Sequence, residues 1–537
     1  MITGSLNKIL EKSIKDNWDK NALSDYEGQT LTYGQVAERI AKLHLIFDEF
    51  GIKKGDKIAL CSKNQVNWAI TLLATVTYGA VSVPLLSEFK PSNIQNLVNH
   101  SDSRLLFVSQ QILESFNDIN MEKVEAIYTL SDFNLVYCVD RQHESFVKHL
   151  DKAFAAMYPN GFRKEDVNYY EDDPEDNVII SYTSGTTGFA KGVMIPSRSI
   201  QSNYVFGDNA EFNIDSNSTV VSILPAAHMY GMMLEVLYEF KVGCHVVFLN
   251  RIPSPQVLIS VFSTLKPHVI MAVPLVVEKI YKNVVVPMKE TMSGPEIKKK
   301  LINSFGGRFS QLVIGGAALN REVDEYFRSI NFPYTVGYGM TECGPIVTFA
   351  PWDKTKLFSC GKIAPGMEMK IDSKDPEKIV GEVLVRGDNV FTGYYKNPSA
   401  YKHCFTEDGW MKTGDMGIID SDGFLYLKGR SKSLILGPSG QNIYPEEIES
   451  ILNNLPLVGE CLVIADKVGI TALVYPNYEA KDVRHLDDDV FQQALIQSVM
   501  DINKDLPGYS QISKVEIMPE EFEKTPKKNI KRYLYQR

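Results

Sequence analysis

Short apolar runs alternate with stretches of helical period from residue 32 to 110, and again from 219 to 340. In the first region the runs are Lys57-Ile58-Ala59-Leu60, Ala80-Val81-Ser82-Val83 and Leu105-Leu106-Phe107-Val108, while Tyr33 to Phe50 carries the helical pattern. In the second they are Thr219 to Leu224, His245 to Leu249, His268 to Val273 and Gln311 to Ile314. Short apolar runs alternating with helical stretches predict βαβ units and a mostly parallel sheet. From about 360 to 428 the pattern changes to short strands with glycine turns, as in GEVLVRG and DGFLYLKG, which predict a β-rich subdomain. After Gly429-Arg430 a smaller unit mixes helical and strand patterns. The expected architecture is α/β: a large domain over 1–430 built on parallel α/β sheets, its β-rich subdomain near 350–430, and a small α+β domain over 431–537. Segments 140–176 and 282–300 are polar and read as loop or exposed helix.

A chain of 537 residues is too long for one core. Its net charge of −10 argues against a general nucleic-acid binder, which needs a basic face. Seven scattered cysteines without a C-x-x-C pair fit reduced thiols, with neither a disulfide framework nor a zinc site. The first twenty residues are charged and lack an apolar core with a cleavage site, so a cytoplasmic protein is expected. The most apolar stretch, Trp68 to Leu86, approaches the length of a membrane span, but Gly79, Pro84 and its threonines favour a buried helix, turn and strand.

The stretch SYTSGTTGFAKG, Ser181 to Gly192, lies between two strand-like runs, Val178 to Tyr182 and Gly192 to Ile195. Gly185 and Gly188 allow consecutive N–H groups to point inward as a concave anion site. Ser184, Thr186 and Thr187 add donors and Lys191 adds charge, a set that a phosphate chain uses at once. A flexible surface loop is the other reading of such a composition. The G-x-x-x-x-G-K-[ST] spacing of ordinary phosphate-binding loops is missing.

Four further motifs follow in order. Gly315-Gly316-Ala317-Ala318-Leu319 and Gly337-Tyr338-Gly339-Met340-Thr341-Glu342 each succeed a strand, Thr413-Gly414-Asp415 closes a Trp410-Met411-Lys412 run, and GRSKSLILGPSGQNIYPEEIE comes last. Singly, each has a plain explanation: Tyr338 as a core aromatic, Glu342 as a surface carboxylate, Asp415 as a turn cap. Together with Y-T-S-G-T-T-G-x-x-K-G, their order resembles the adenylate-forming family of acyl-CoA synthetases, peptide-synthetase adenylation domains and luciferases, over nearly the whole chain. The resemblance implies an ATP site. Thr183, Ser184, Gly185, Thr186, Thr187, Gly188 and Lys191 would meet the phosphates; Gly316, Ala317, Tyr338, Gly339, Met340 and Thr341 would frame the adenine. Asp415 and Arg430 would hold the ribose, and Glu342 with Thr186 would hold Mg2+.

By the same resemblance the enzyme joins a carboxylate to AMP, releases pyrophosphate, and passes the acyl group to a thiol. A carboxylic acid is already ionised near neutral pH, so this attack needs in-line positioning and charge neutralisation rather than a general base. A further cation is expected from the tail, Lys524 to Arg532, where Ile530 stands in place of the family's glycine. Lys531 is the candidate, with Lys528 and Lys527 as alternatives, although charge alone reads as a solvated tail. The family turns its mobile small domain about one residue after the Gly-Arg turn, here Lys432. Gly440 would then leave room for a pantetheine arm in the thiol tunnel. Ala190 replaces a proline common in the family, which predicts lower ATP affinity at most.

Leu224 to Gly231 matches the family region that gates the acyl pocket, with His228 at the gate or in a purely structural role. Residues 224–234 hold no aspartate, so an amino-acid substrate fits poorly. Met229, Met232, Met233, Leu234, Val273 and Leu275 suit an aliphatic chain or form plain core. The stretch from Lys266 to Tyr281 looks like its counterpart in long-chain acyl-CoA synthetases. The expected activity is therefore a fatty acyl-CoA synthetase, an acid–thiol ligase for a medium- or long-chain fatty acid using ATP, Mg2+ and CoA. The alternatives are a stand-alone enzyme loading an aryl or acyl group onto a carrier protein, and a nucleotide-binding sensor without turnover. No nucleic acid and no membrane span is expected; peripheral membrane contact is compatible with a hydrophobic substrate.

Overall fold

The computed structural model describes residues 2–183, 190–249, 254–436, 441–466, 469–483, 487–525 and 529–537. Its centre is an eight-stranded sheet in the order Gly393–Tyr394, Lys191–Pro196, Asn177–Thr183, Val81–Leu85, Lys57–Cys61, Ser103–Val108, Ala126–Thr129, Leu135–Cys138. The strands from Asn177–Thr183 through Ala126–Thr129 run parallel, and both margins are antiparallel. Three of these parallel strands are the apolar runs of the first βαβ rhythm.

Trp68 to Leu86 forms a buried helix, Val66–Tyr78, and a central strand, Val81–Leu85, every residue of which is buried. Gly79 ends the helix with φ +90°, a conformation that favours glycine. The buried threonines return their hydroxyls to carbonyls one turn back, Thr71 to Asn67 at 2.8 Å and Thr75 to Thr71 at 2.7 Å, so an apolar helix tolerates them. Among the described residues, no helix is long and apolar enough to cross a membrane.

The second rhythm divides between two sheets. Thr219–Ser222 and His245–Phe248 pair in parallel, and Asn21–Asp25 joins them from the far N-terminus. Val269–Ala272, Gln311–Ile314 and Tyr334–Val336 make a separate parallel sheet with its own core, which includes Phe262, Leu312, Phe327 and Phe332.

The β-rich region begins earlier than 350, with an antiparallel sheet of Tyr338–Gly339, Ile346–Phe349 and Lys362–Ile363. Met367–Asp372, Gly381–Gly387, Met411–Ile419 and Leu425–Arg430 then form a four-stranded antiparallel sheet. Gly393–Tyr394 leaves this region and pairs on the margin of the eight-stranded sheet. Beyond Arg430, Val458–Asp466, Gly469–Pro476 and Ile512–Ile517 form a three-stranded sheet. Helices Pro445–Leu452 and Asp488–Asp501 pack on it around a core of their own that includes Ile448, Val463, Phe491 and Leu495. The molecule is thus α/β, with a large N-terminal domain and a separate small C-terminal domain.

Candidate active site

Strands Asn177–Thr183 and Lys191–Pro196 form a hairpin in which Thr183 faces Lys191 across the pair. The loop between them is therefore anchored at both ends in the central sheet. Ser184, Gly185, Thr186, Thr187 and Gly188, and with them the metal-binding expectation for Thr186, lie outside the described residues.

The register of the neighbouring strand brings a second motif to Lys191. Tyr394 pairs with Val193, and the Tyr395 N–H donates to the Gly192 carbonyl at 2.8 Å. The Tyr394 ring consequently lies against Lys191, whose Nζ is 4.8 Å from the ring centroid, an attractive cation–π arrangement. The Tyr394 hydroxyl donates to Glu342 Oε1 at 2.8 Å, and the Phe391 N–H donates to the Glu342 carbonyl at 2.9 Å. Glu342 sits in a single 3-10 turn, Thr341–Cys343, directly after the Tyr338–Gly339 strand.

Tyr338, Asp415 and Arg430 come from three motifs and meet directly. Asp415 faces Arg430 across the Met411–Ile419 and Leu425–Arg430 pair, and Arg430 Nε lies 2.8 Å from Asp415 Oδ1. The Tyr338 hydroxyl donates to Asp415 Oδ2 at 2.5 Å. Asp415 is 5% exposed, so burial pushes its carboxyl above the ordinary range while Arg430 and the Tyr338 hydroxyl draw it back. Glu342 is near enough to raise both the Asp415 carboxyl and the Arg430 guanidinium, which joins the two clusters into one site. Each carboxylate oxygen accepts about two hydrogen bonds; Oδ2 already takes the Tyr338 hydroxyl and, at 3.5 Å, Arg430 Nη2, so Asp415 keeps one acceptor position, on Oδ1.

Gly316 follows strand Gln311–Ile314 with φ +87°, and Gly316 and Ala317 are exposed. Beneath them, a Cβ on Gly315 would come within 3.2 Å of the Tyr230 ring, whose hydroxyl donates to the Val313 carbonyl at 3.1 Å. A larger residue at 315 would have to push the Tyr230 ring back by a few tenths of an ångström. Gly339 answers a similar constraint, because a Cβ there would collide with the Pro345 carbonyl oxygen. Met340 extends the hairpin through its N–H to the same carbonyl at 2.8 Å, and Thr341 is buried.

His228 precedes the short helix Met229–Met232 and is half-buried. Met229, Met232, Met233 and Leu234 are within the main core, each 1% exposed or less, whereas Leu275 is 53% exposed. The methionines fill interior volume, as unbranched side chains do. Lys432 is exposed in the turn after Arg430. Lys531 is held within the small domain, its Nζ 2.9 Å from Glu523 Oε2. Gly440, Lys527 and Lys528 lie outside the described residues.

Tyr394 and Tyr230 are the participants that motif reasoning missed. Tyr230 stood inside the gating motif, and Tyr394 lay in FTGYYKNP, whose single glycine and single lysine form no phosphate- or metal-binding pattern. For a metal, the described residues contain no group of three His, Cys, Asp or Glu. Mg2+ beside substrate phosphates commonly takes one or two protein carboxylates, so Glu342 fits that role without such a group.

The sequence profile of the AMP-binding enzyme family matches residues 10–395, and that of the AMP-binding enzyme C-terminal domain matches 432–537. The chain is 26% identical over 459 residues to 4-coumarate–CoA ligase 4 of Arabidopsis thaliana, covering 82% of this chain and 75% of that relative. It is 27% identical over 490 residues to a long-chain-fatty-acid–CoA ligase of Mycobacterium bovis, covering 84% and 78%. Among solved structures, an anthranilate CoA ligase in complex with anthranoyl-AMP aligns with a TM-score of 0.79 at 19% identity, over 100% of this chain and 97% of that one. The o-succinylbenzoate coenzyme A synthetase of Bacillus subtilis, in complex with ATP and magnesium ion, aligns with a TM-score of 0.75 at 21% identity over 98% of both chains. A profile that spans most of the chain, over a fold shared with these structures, places the protein in the AMP-binding enzyme family.

Proposed function

We propose that the protein is an ATP-dependent acid–thiol ligase. It activates a medium- or long-chain fatty acid as acyl-AMP with release of pyrophosphate, then transfers the acyl group to CoA. The observation that carries the nucleotide half is the convergence of Tyr338, Asp415 and Arg430 beside Glu342 and Lys191. Asp415 accepts a ribose hydroxyl, Arg430 fixes that carboxylate, and the Gly316 turn with Tyr338 receives the adenine. Lys191 meets phosphate oxygens from the hairpin end. Glu342 holds Mg2+, which supplies charge neutralisation on the phosphates when bound. The tail lysines, Lys531 foremost, supply the further cation for acyl-AMP formation. His228 gates the acid, Lys432 is the hinge, and Gly440 lines the thiol tunnel.

The relatives support CoA as the thiol and leave two acid classes in contention, because the 4-coumarate and long-chain-fatty-acid ligases are about equally similar to this chain. An aromatic acid is the second reading, favoured by that parity and by the burial of the methionines in the core. Pyrophosphate release from ATP and Mg2+ is the test, run across acids from acetate to oleate plus benzoate and 4-coumarate, with and without CoA. A CoA-dependent optimum among fatty acids is expected. An optimum at an aromatic acid would transfer the assignment to the second reading, and no release with any acid would remove the ligase reading altogether.

A further inference from the structure

Tyr394 belongs to none of the motifs from which the site was read, yet it touches two of their charged residues. Its ring faces the Lys191 ammonium at 4.8 Å, and its hydroxyl donates to Glu342 Oε1 at 2.8 Å. The residue is 7% exposed and set by backbone pairing at the sheet margin, with Tyr394 opposite Val193 and the Thr392 N–H on the Met194 carbonyl at 3.1 Å. Phe391 and Cys404 complete its surroundings, Phe391 edge-on at 4.9 Å between centroids and the Cys404 Sγ 3.7 Å from the hydroxyl. We propose that Tyr394 is a positioning residue that keeps Lys191 and Glu342 apart and aimed, the lysine for phosphate and the carboxylate for the divalent cation. This inference rests on the nucleotide reading given above.

An ammonium and a carboxylate brought to one small site attract, and a direct ion pair would spend both charges on each other. The phenol offers each a separate contact, a ring face to the cation and a hydroxyl to the anion, so neither needs the other. Mg2+ also demands near-ideal octahedral geometry, and a hydrogen bond to one oxygen of a ligating carboxylate fixes how the other is presented.

The two contacts separate by substitution. Tyr394→Phe keeps the ring and removes the hydroxyl, whereas Tyr394→Leu removes both. ATP binding measured by calorimetry in EDTA and again with saturating Mg2+ reads each contact. Tyr394→Phe should bind ATP in EDTA like the wild type but lose roughly 10- to 100-fold of the tightening that Mg2+ gives. Tyr394→Leu should also bind more weakly in EDTA, because Lys191 has lost its seat. Full Mg2+ tightening in Tyr394→Phe overturns the inference, as does a Tyr394→Leu that binds in EDTA like the wild type. Should Tyr394→Leu fail to fold, the Tyr394→Phe titration decides alone. Lys191→Ala and Glu342→Gln are the parallel controls. If these leave ATP affinity and Mg2+ tightening intact, the nucleotide reading itself fails; if they lower them while Tyr394→Phe does not, only the role of Tyr394 falls.

Discussion

Glu235 and Glu239, one turn apart, are both fully buried, and their surroundings treat them differently. Glu235 accepts from the Ile223 N–H at 3.2 Å, the Leu224 N–H at 3.0 Å and the Ser222 hydroxyl at 3.1 Å. From the other side Asn64 donates to the Leu224 carbonyl at 2.6 Å and accepts from the Ala226 N–H at 2.8 Å. Two side chains therefore fix the backbone that leads to His228. Neither oxygen of Glu239 meets a donor from another described residue. Burial pushes Glu235 up to about 8 and Glu239 well above its ordinary value of 4.5. A raised carboxyl keeps a proton in the folded state that the unfolded chain releases, so its stability contribution is complete below pH 4.5 and is lost as pH rises toward the folded value. Replacing Glu239 by Met removes that loss. Thermal unfolding across pH should show Glu239→Met and wild type close together near pH 5, then diverging in the variant's favour by at most about 1.4 kcal/mol per pH unit. Parallel curves would mean that Glu239 has partners enough to ionise in place.

At the scale of elements, the hairpin of Tyr338–Gly339 and Ile346–Phe349 sets the distance between the residues proposed for adenine, ribose and metal, because Tyr338 reaches Asp415 and Glu342 follows one turn later. Gly339 is its tightest point. Gly339→Ala must displace the Pro345 carbonyl, with a cost of about 1–3 kcal/mol by analogy with overpacked cores, and should weaken ATP binding through Tyr338 and Glu342 together. Gly508→Ala, where a Cβ meets open space, is the control and should stay within about 0.5 kcal/mol of wild type. Equal unfolding midpoints for the two variants would show that the hairpin relaxes freely. Much of this architecture was legible in the residues themselves. The runs at 58–60 and 105–108 announce buried strands because nothing polar interrupts them, and Gly79 marks the end of the helix beneath. What was not legible depends on partners far along the chain. Nothing near His245 says that it will pair beside Asn21–Asp25, and nothing in FTGYYKNP says that a margin strand will carry Tyr394 to Lys191. The methionines after His228 carry the same composition whether they line a tunnel or fill a core, and only packing separated the two.

For the whole molecule, the proposed reaction asks one site to serve two steps with different demands: cationic charge at the phosphates first, room for a thiol afterwards. The small domain is built to carry its tail as a unit. Arg532 grips Glu449 through Nη2 at 2.6 and 2.7 Å and donates from Nη1 to the Val463 carbonyl at 2.9 Å, so the neighbouring Lys531 moves with that domain's core. Glu523, which holds Lys531, also feels the charge of Lys90 at the start of the large domain's helix Pro91–Ser101. Lys432, the proposed joint, is exposed in the turn after Arg430. Lys531→Ala should slow acyl-AMP formation by roughly 10²- to 10³-fold, the scale of losing one preorganised charge, and leave thioester formation from supplied acyl-AMP unchanged. Lys432→Pro fixes φ near −65° at the joint. It should depress the two half-reactions unequally, since only one domain arrangement keeps its preferred backbone. Pyrophosphate release and CoA thioester formation, followed separately, read both variants. If Lys531→Ala leaves acyl-AMP formation intact, the cation comes from Lys527 or Lys528, and their alanine variants identify which; if Lys432→Pro lowers both half-reactions in one proportion, the joint at 432 is not where the domains turn.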